Sequence, residues 1–181
     1  MSTITTSLPP ASPPTAAERA LAEAFRQAEP GLPGTGWVAR VRQDAMGWLA
    51  SHGLPSRRVE AFKYTDLRER VREGYAPPAA EASGPRPSLA QVEAALGTLA
   101  LLDGPRIVLV DGVYAPELSR TDGFGDAAEQ MPLAPLLRKA PAWLEGKFVA
   151  GRLGEATALS AINSAFMSDG LLLKIKPGKA A

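Results

Sequence analysis

Gly53-Leu-Pro-Ser-Arg-Arg-Val-Glu-Ala-Phe-Lys-Tyr-Thr-Asp-Leu-Arg-Glu-Arg-Val-Arg72 is the densest run of chemical information in the chain. From Arg57 to Arg72 it holds six basic and three acidic residues, a local positive excess in a chain whose formal charge is only +1. Glu60, Asp66 and Glu69 are spaced to pair with Arg57, Lys63, Arg70 or Arg72. Tyr64, Leu67 and Val71 share a helical stripe, and Thr65 is placed to cap the helix that they define. Phe62 and Tyr64 are therefore expected to face a core. The same aromatics among arginines would also suit base stacking in an RNA-binding segment. The interleaved carboxylates favour structure over nucleic acid.

Toward the N-terminus, Trp37, Val41, Ala45, Trp48 and Leu49 repeat at helical spacing opposite Arg40, Gln43 and Asp44, which predicts a helix over 37–51 with Gly53 just past its end. Residues 30–36 concentrate Pro and Gly and read as a turn. Thr15 and Glu18 form a capping box, and Leu21, Ala24, Phe25 and Ala28 follow on one face, so another helix is expected over 16–29. Residues 1–14 carry four prolines and little that could pack, the signature of a disordered arm. The helical region as a whole runs from 15 to 75.

Toward the C-terminus, residues 76–87 hold four prolines and no large apolar side chain, a linker composition. Beyond it a mixed region covers 88–181. Ser88 and Gln91 make a second capping box ahead of the stripe Leu89, Val92, Leu96 and Leu99, predicting a helix over 89–100. Arg106–Val110 reads as a strand, with Val113-Tyr114 pairing back across Asp111-Gly112. Residues 115–130 read as loop, and 133–139 and 143–149 as short helical pieces. Residues 157–167 form a helix with Leu159, Ile162 and Phe166 on its core face and Ala158, Ala161 and Ala165 allowing close approach. Leu171–Ile175 reads as a closing strand with an unmet edge, and 176–181 as a polar tail without a partner.

A chain of 181 residues with 45% apolar content can bury a core without crosslinks. With no Cys and a single histidine, His52, it cannot build a thiolate zinc site, an iron–sulfur ligand set or a cysteine nucleophile. Gly31–Gly36 has a phosphate-loop skeleton, but Trp37 and Val38 stand where Lys and Ser or Thr are required. His52 belongs at a helix C-terminus, where it serves as a cap. Asp122, Asp126 and Glu129 lack the oxygen spacing of a calcium loop. No apolar run approaches a membrane span, and the first residues are no secretory signal, so a cytoplasmic location is expected.

The run Gly53 to Leu67 resembles the N-terminal signature of the SufB/SufD family, in its SufD form, from the SUF iron–sulfur cluster assembly machinery. Three further stretches agree in order: Ile107-Val-Leu-Val-Asp-Gly112 with Leu118-Ser119 after it, Leu159-Ser-Ala-Ile-Asn-Ser-Ala165, and the strand behind Asp169-Gly170. Phe62 stands where that family usually has Trp, a change that keeps an aromatic and loses an indole N–H. Family members continue into a right-handed parallel β-helix and a C-terminal helical region, so the chain is read as an N-terminal fragment.

The resemblance implies an α+β fold: a helical N-terminal part, then a mixed region whose few strands lead into that β-helix. It implies a non-catalytic component that acts with SufB-like and SufC-like subunits, SufC being the ATPase, in cluster assembly and acquisition of iron. No catalytic, cofactor or metal residue is carried over, and no cofactor is expected in this chain. The motif positions Arg57, Arg58, Glu60, Phe62, Lys63, Tyr64, Thr65 and Leu67 are given structural roles, Glu60 pairing with Lys63 while Phe62 and Tyr64 anchor the segment to the core. The exposed strand edge would permit a homodimer. Neither nucleic acid nor membrane is an expected partner. The rival readings are a small RNA-binding module using Arg57 to Arg72 and an enzyme with a carboxylate site.

Overall fold

The structure, a computed structural model, describes residues 13–72, 85–145, 147 and 158–179. The expected arm up to residue 12, most of the linker, and the ends of two predicted helices at 148–149 and 157 lie outside these residues. The fold is α+β. Its described residues fall into two units, one drawing on 13–31, 36–72, 142–145, 147 and 158–167, the other on 32–35, 85–141 and 168–179. No helix among the described residues is long and apolar enough to cross a membrane.

In the first unit, α1 (Ala16–Ala28) begins at the expected capping box, with Thr15 accepting from the Glu18 N–H and Glu18 accepting from the Thr15 N–H. Ala17, Leu21 and Phe25 are its buried apolar side chains. The long helix α2 (Trp37–His52) buries Trp37, Val38, Ala45 and Leu49. A short helix α3 (Leu67–Arg70) follows, and α6 (Ala142–Glu145) and α7 (Ala158–Ala165) rejoin the unit much later in the chain. The Arg40 guanidinium reaches Glu145 at 2.9 Å, linking α2 to α6.

The contact between α2 and α7 corrects the expected core face. Ala158, Ala161 and Ala165 are themselves the buried residues of α7, while Leu159 is 52% exposed. Small side chains let two helix backbones approach closely, and a branched leucine on that face would hold them apart. Phe166 does reach the core, meeting Phe25 edge to face at 5.7 Å. Arg42, on no predicted stripe, is only 2% exposed, and its guanidinium donates to the Ala165 carbonyl 123 positions away. A cation at the C-terminal end of α7 meets carbonyls that the helix cannot satisfy itself. Burial pulls the Arg42 pKa below its ordinary value, with nearby Glu29 opposing that shift.

In the second unit, α4 (Leu89–Leu96) starts at the Ser88–Gln91 capping box but stops at Gly97, where a φ of 56° turns the chain into a 3-10 segment through Leu101. The predicted helix to residue 100 is therefore split. Its apolar stripe is also only partly covered among the described residues: Val92 and Leu96 are half-buried, but Leu89 is 45% and Leu99 61% exposed. Strands β1 (Leu109–Val110) and β2 (Val113–Tyr114) form the expected hairpin, with Asp111 and Gly112 both at positive φ as a two-residue turn of this hand requires. Ser119 holds its base, accepting from the Val108 N–H and donating to the Ala115 carbonyl.

The stretch read as a loop contains a strand. Residues of β3 (Ala128–Pro132) pair antiparallel with β4 (Leu171–Ile175), from Ala128 opposite Ile175 to Pro132 opposite Leu171. Helix α5 (Leu133–Lys139) follows β3 directly and buries Leu137. The Asp169 carboxylate accepts from the N–H of Tyr114 on one oxygen and of Ala134 on the other, tying the hairpin to the first turn of α5. The described part of the tail does have partners. Lys176 donates its N–H to the Ala127 carbonyl and Lys179 pairs with Asp126 at 3.1 Å, while Lys174, still within β4, lies 3.7 Å from Glu129. These lysines account for two of the three carboxylates weighed as cation ligands.

The α2–α7 contact sets up a direct comparison. Ala161→Leu is expected to destabilise the protein by about 3 kcal/mol through overpacking, whereas Leu159→Ala costs less than about 1 kcal/mol, both read from urea unfolding midpoints. A core role for Leu159 would reverse that order.

Candidate functional site

The Gly53–Leu67 signature folds as a compact surface loop whose two ends are held together. At its neck the Leu67 N–H donates to the Pro55 carbonyl at 3.0 Å and the Arg57 N–H to Asp66 Oδ2 at 3.3 Å. Between them a series of tight turns closes through Val59 to Ser56, Phe62 to Val59, Lys63 to Glu60 and Thr65 to Phe62. A loop closed at its base and bonded within itself is an Ω-loop, a type of segment that often carries function. Leu54 and Pro55 are buried at the neck, while the tip is exposed.

Glu18 roots this loop. Its carboxylate is held by the Thr15 N–H and the Leu54 N–H, each at 2.6 Å, and by the Arg68 guanidinium at 3.3 Å. Arg68 also donates to the Pro13 carbonyl at 2.8 Å. Burial alone would raise the Glu18 pKa, but the hydrogen bonds from Leu54 and Thr15 and the charge of Arg68 outweigh it and leave the group below its ordinary value. Gly53 makes the approach possible. It sits at φ 68° and ψ −172°, a region almost confined to glycine, and a Cβ there would lie 2.7 Å from Glu18 Oε1.

The motif residues occupy this frame unevenly. Glu60 and Lys63 pair at 2.8 Å, as expected, on the exposed side of a single 3-10 turn. Arg57 is exposed and lies 3.7 Å from Glu69, while Arg58 is exposed and uses its N–H on Ser56 Oγ. Leu67 is half-buried and begins α3, whose cap is Asp66, accepting from the Glu69 N–H at 3.2 Å. Thr65 is not the cap, because only a side chain one position later reaches the third helical N–H. Phe62 is half-buried, but Tyr64 is 89% exposed and does not anchor the core. The expected Tyr64, Leu67, Val71 stripe fails because Tyr64 lies in a turn before the helix. Lys63 Nζ instead stands 5.2 Å from the Tyr64 ring centre, within cation–π range.

A cavity of about 180 Å³ beside the neck is lined by Pro13, Pro14, Glu18, Arg68 and the end of α2 from Leu49 to Gly53. Its polar groups converge on main chain. Glu18 is held as described, and His52 stacks on Trp48 with its Nδ1 2.9 Å from the Trp48 carbonyl, the helix-end role expected of it. Among the described residues no three acidic or histidine side chains come together as metal ligands would. The arrangement is suited to presenting a surface. Sequence reading saw Glu18 only as half of a capping box and missed Arg68, Asp66 as cap and the outward Tyr64; the closeness of Glu18 to Leu54, 36 positions on, has no local signal.

Glu18→Ala is expected to cost about 3 kcal/mol, since it strands the buried Leu54 N–H, the partly buried Thr15 N–H and a partly buried guanidinium. Because the folded carboxylate titrates below its unfolded counterpart, its contribution is complete above the ordinary carboxylate range and disappears as pH falls through the folded value. The Tm gap between the native protein and Glu18→Gln should therefore be widest near neutrality and close only once the pH has fallen below the ordinary carboxylate range. A gap that holds constant on acidification would contradict this assignment.

The family model for the SufBD protein N-terminal region covers residues 20–180. No curated protein and no solved structure matches the chain. The matched span includes the loop, the Ser119-braced hairpin, α7 and the β3–β4 ribbon. The chain belongs to the SufBD family of the SUF iron–sulfur cluster assembly system.

Proposed function

We propose that this chain serves as a non-catalytic, SufD-like component of the SUF assembly complex, acting in the cytoplasm with a SufB-type subunit and the SufC-type ATPase in cluster assembly and acquisition of iron. The observation that carries this reading is how the signature loop is held. The one buried carboxylate beside it accepts from two main-chain N–H groups and a guanidinium, so the signature's polar chemistry holds a surface in shape. Composition supports the same role, because a sequence without cysteine and with one histidine lacks the usual ligands for retaining a cluster. The SufD-like assignment rests on the sequence resemblance of Gly53 to Leu67.

Family membership makes assembly the natural test. The full-length gene product, co-expressed with SufB-type and SufC-type subunits, should purify with both as a complex of fixed stoichiometry, and ATP hydrolysis should require the SufC-type subunit. Turnover by the isolated chain, or its elution apart from both subunits, would overturn the proposal.

A further inference from the structure

We infer that Pro13 and Pro14 act as a latch on the Ω-loop, a strap gripped by Arg19 and Arg68 whose seating sets how firmly the α3 end of the loop is held. Composition reads these residues as the end of a disordered arm, whereas the structure gives both of them partners. A proline ring fixes φ and removes the N–H, so each residue has only its carbonyl to satisfy. Both carbonyls are taken. Arg19 Nη1 donates to Pro14 at 2.6 Å and Arg68 Nη2 donates to Pro13 at 2.8 Å. Pro14 also confines Pro13 to extended backbone, and Thr15 continues that course at φ −69° and ψ 169°. The strap therefore has little conformational freedom to lose when it seats.

Arg68 is what couples the strap to the loop. The nitrogen that reaches Pro13 also lies 3.3 Å from Glu18 Oε2. Arg68 is the second residue of α3 and follows Leu67, whose N–H closes the neck on the Pro55 carbonyl. Lifting the strap leaves a largely buried guanidinium with the longer contact to Glu18, and α3 loses its tie to the chain ahead of α1. The Leu54 end is held separately, because its N–H donates directly to Glu18 Oε1. Release therefore acts on one end of the loop. The grip is reversible, since Pro13, Pro14 and Arg19 are exposed and water competes for the donors and acceptors. By linkage, a partner that took up the strap would loosen α3, and one that bound the α3 end would seat the strap more firmly.

This inference does not depend on the assembly reading, because its test reads backbone exchange in the full-length protein alone. Pro13→Gly combined with Pro14→Gly keeps both carbonyls and frees the backbone, while Arg19→Ala removes one grip without touching Glu18. Each change should raise amide hydrogen exchange over residues 65–72 by about threefold to tenfold, read by mass spectrometry at short labelling times. Residues 19–28 of α1 and 158–166 around α7 should exchange as before, which separates release of the latch from damage to the helix cap or to the core. In an Arg68→Ala background the glycine pair should add nothing over 65–72, because the coupling runs through that side chain. No rise over 65–72, an equal rise in all three windows, or a glycine effect undiminished by Arg68→Ala would each overturn the inference.

Discussion

A carboxylate that is almost shut off from water must have its oxygens answered, and the Glu18 side chain is where the first unit meets that demand. The answering groups come from three places in the chain: the cap of its own helix, the Leu54 amide and the Arg68 guanidinium. Each alone is an ordinary hydrogen bond or ion pair. Together they fix the angle at which the chain leaves α2, the closeness of Gly53 to α1 and the position of α3, so the loop between Leu54 and Leu67 has little freedom. The outward presentation of Tyr64 follows from that constraint.

The second unit solves a similar problem with Asp169. Its two oxygens accept from amides of a hairpin and of a helix's first turn, and the helix dipole favours a negative charge there. Both units thus use an acidic side chain to satisfy backbone donors that regular secondary structure leaves over. Residues that looked like plain turn or cap formers in the sequence, Glu18 in a capping box and Asp169 in an Asp-Gly pair, turn out to connect elements far apart in the chain.

What was legible in the sequence was local. Both capping boxes, the Asp111-Gly112 turn, α5 and the Glu60–Lys63 pair depend on residues within a few positions of each other, and all are present. What was not legible depended on a partner elsewhere. Ala-Glu-Gln-Met-Pro has no β-branched residue to announce β3, which becomes a strand because β4 lies beside it. The periodicity of α7 marked an apolar face without saying whether leucine or alanine would meet α2. Arg42 was hidden for the same reason, since the carbonyl that justifies its burial belongs to Ala165. At the loop, the charge pattern was readable and the direction of Tyr64 was not. A turn of one or two residues before a short helix decides which way a side chain points, and propensity does not resolve boundaries at that scale.

The distance in sequence between Arg42 and Ala165 also has a consequence for synthesis. At bacterial or eukaryotic elongation rates the ribosome needs on the order of ten seconds to add the intervening residues. Throughout that interval the alanine face that covers α2 has not been made. The nascent chain must therefore carry an apolar helix surface without its native cover, and late closure of a long loop makes this unit slow to complete and open to wrong contacts.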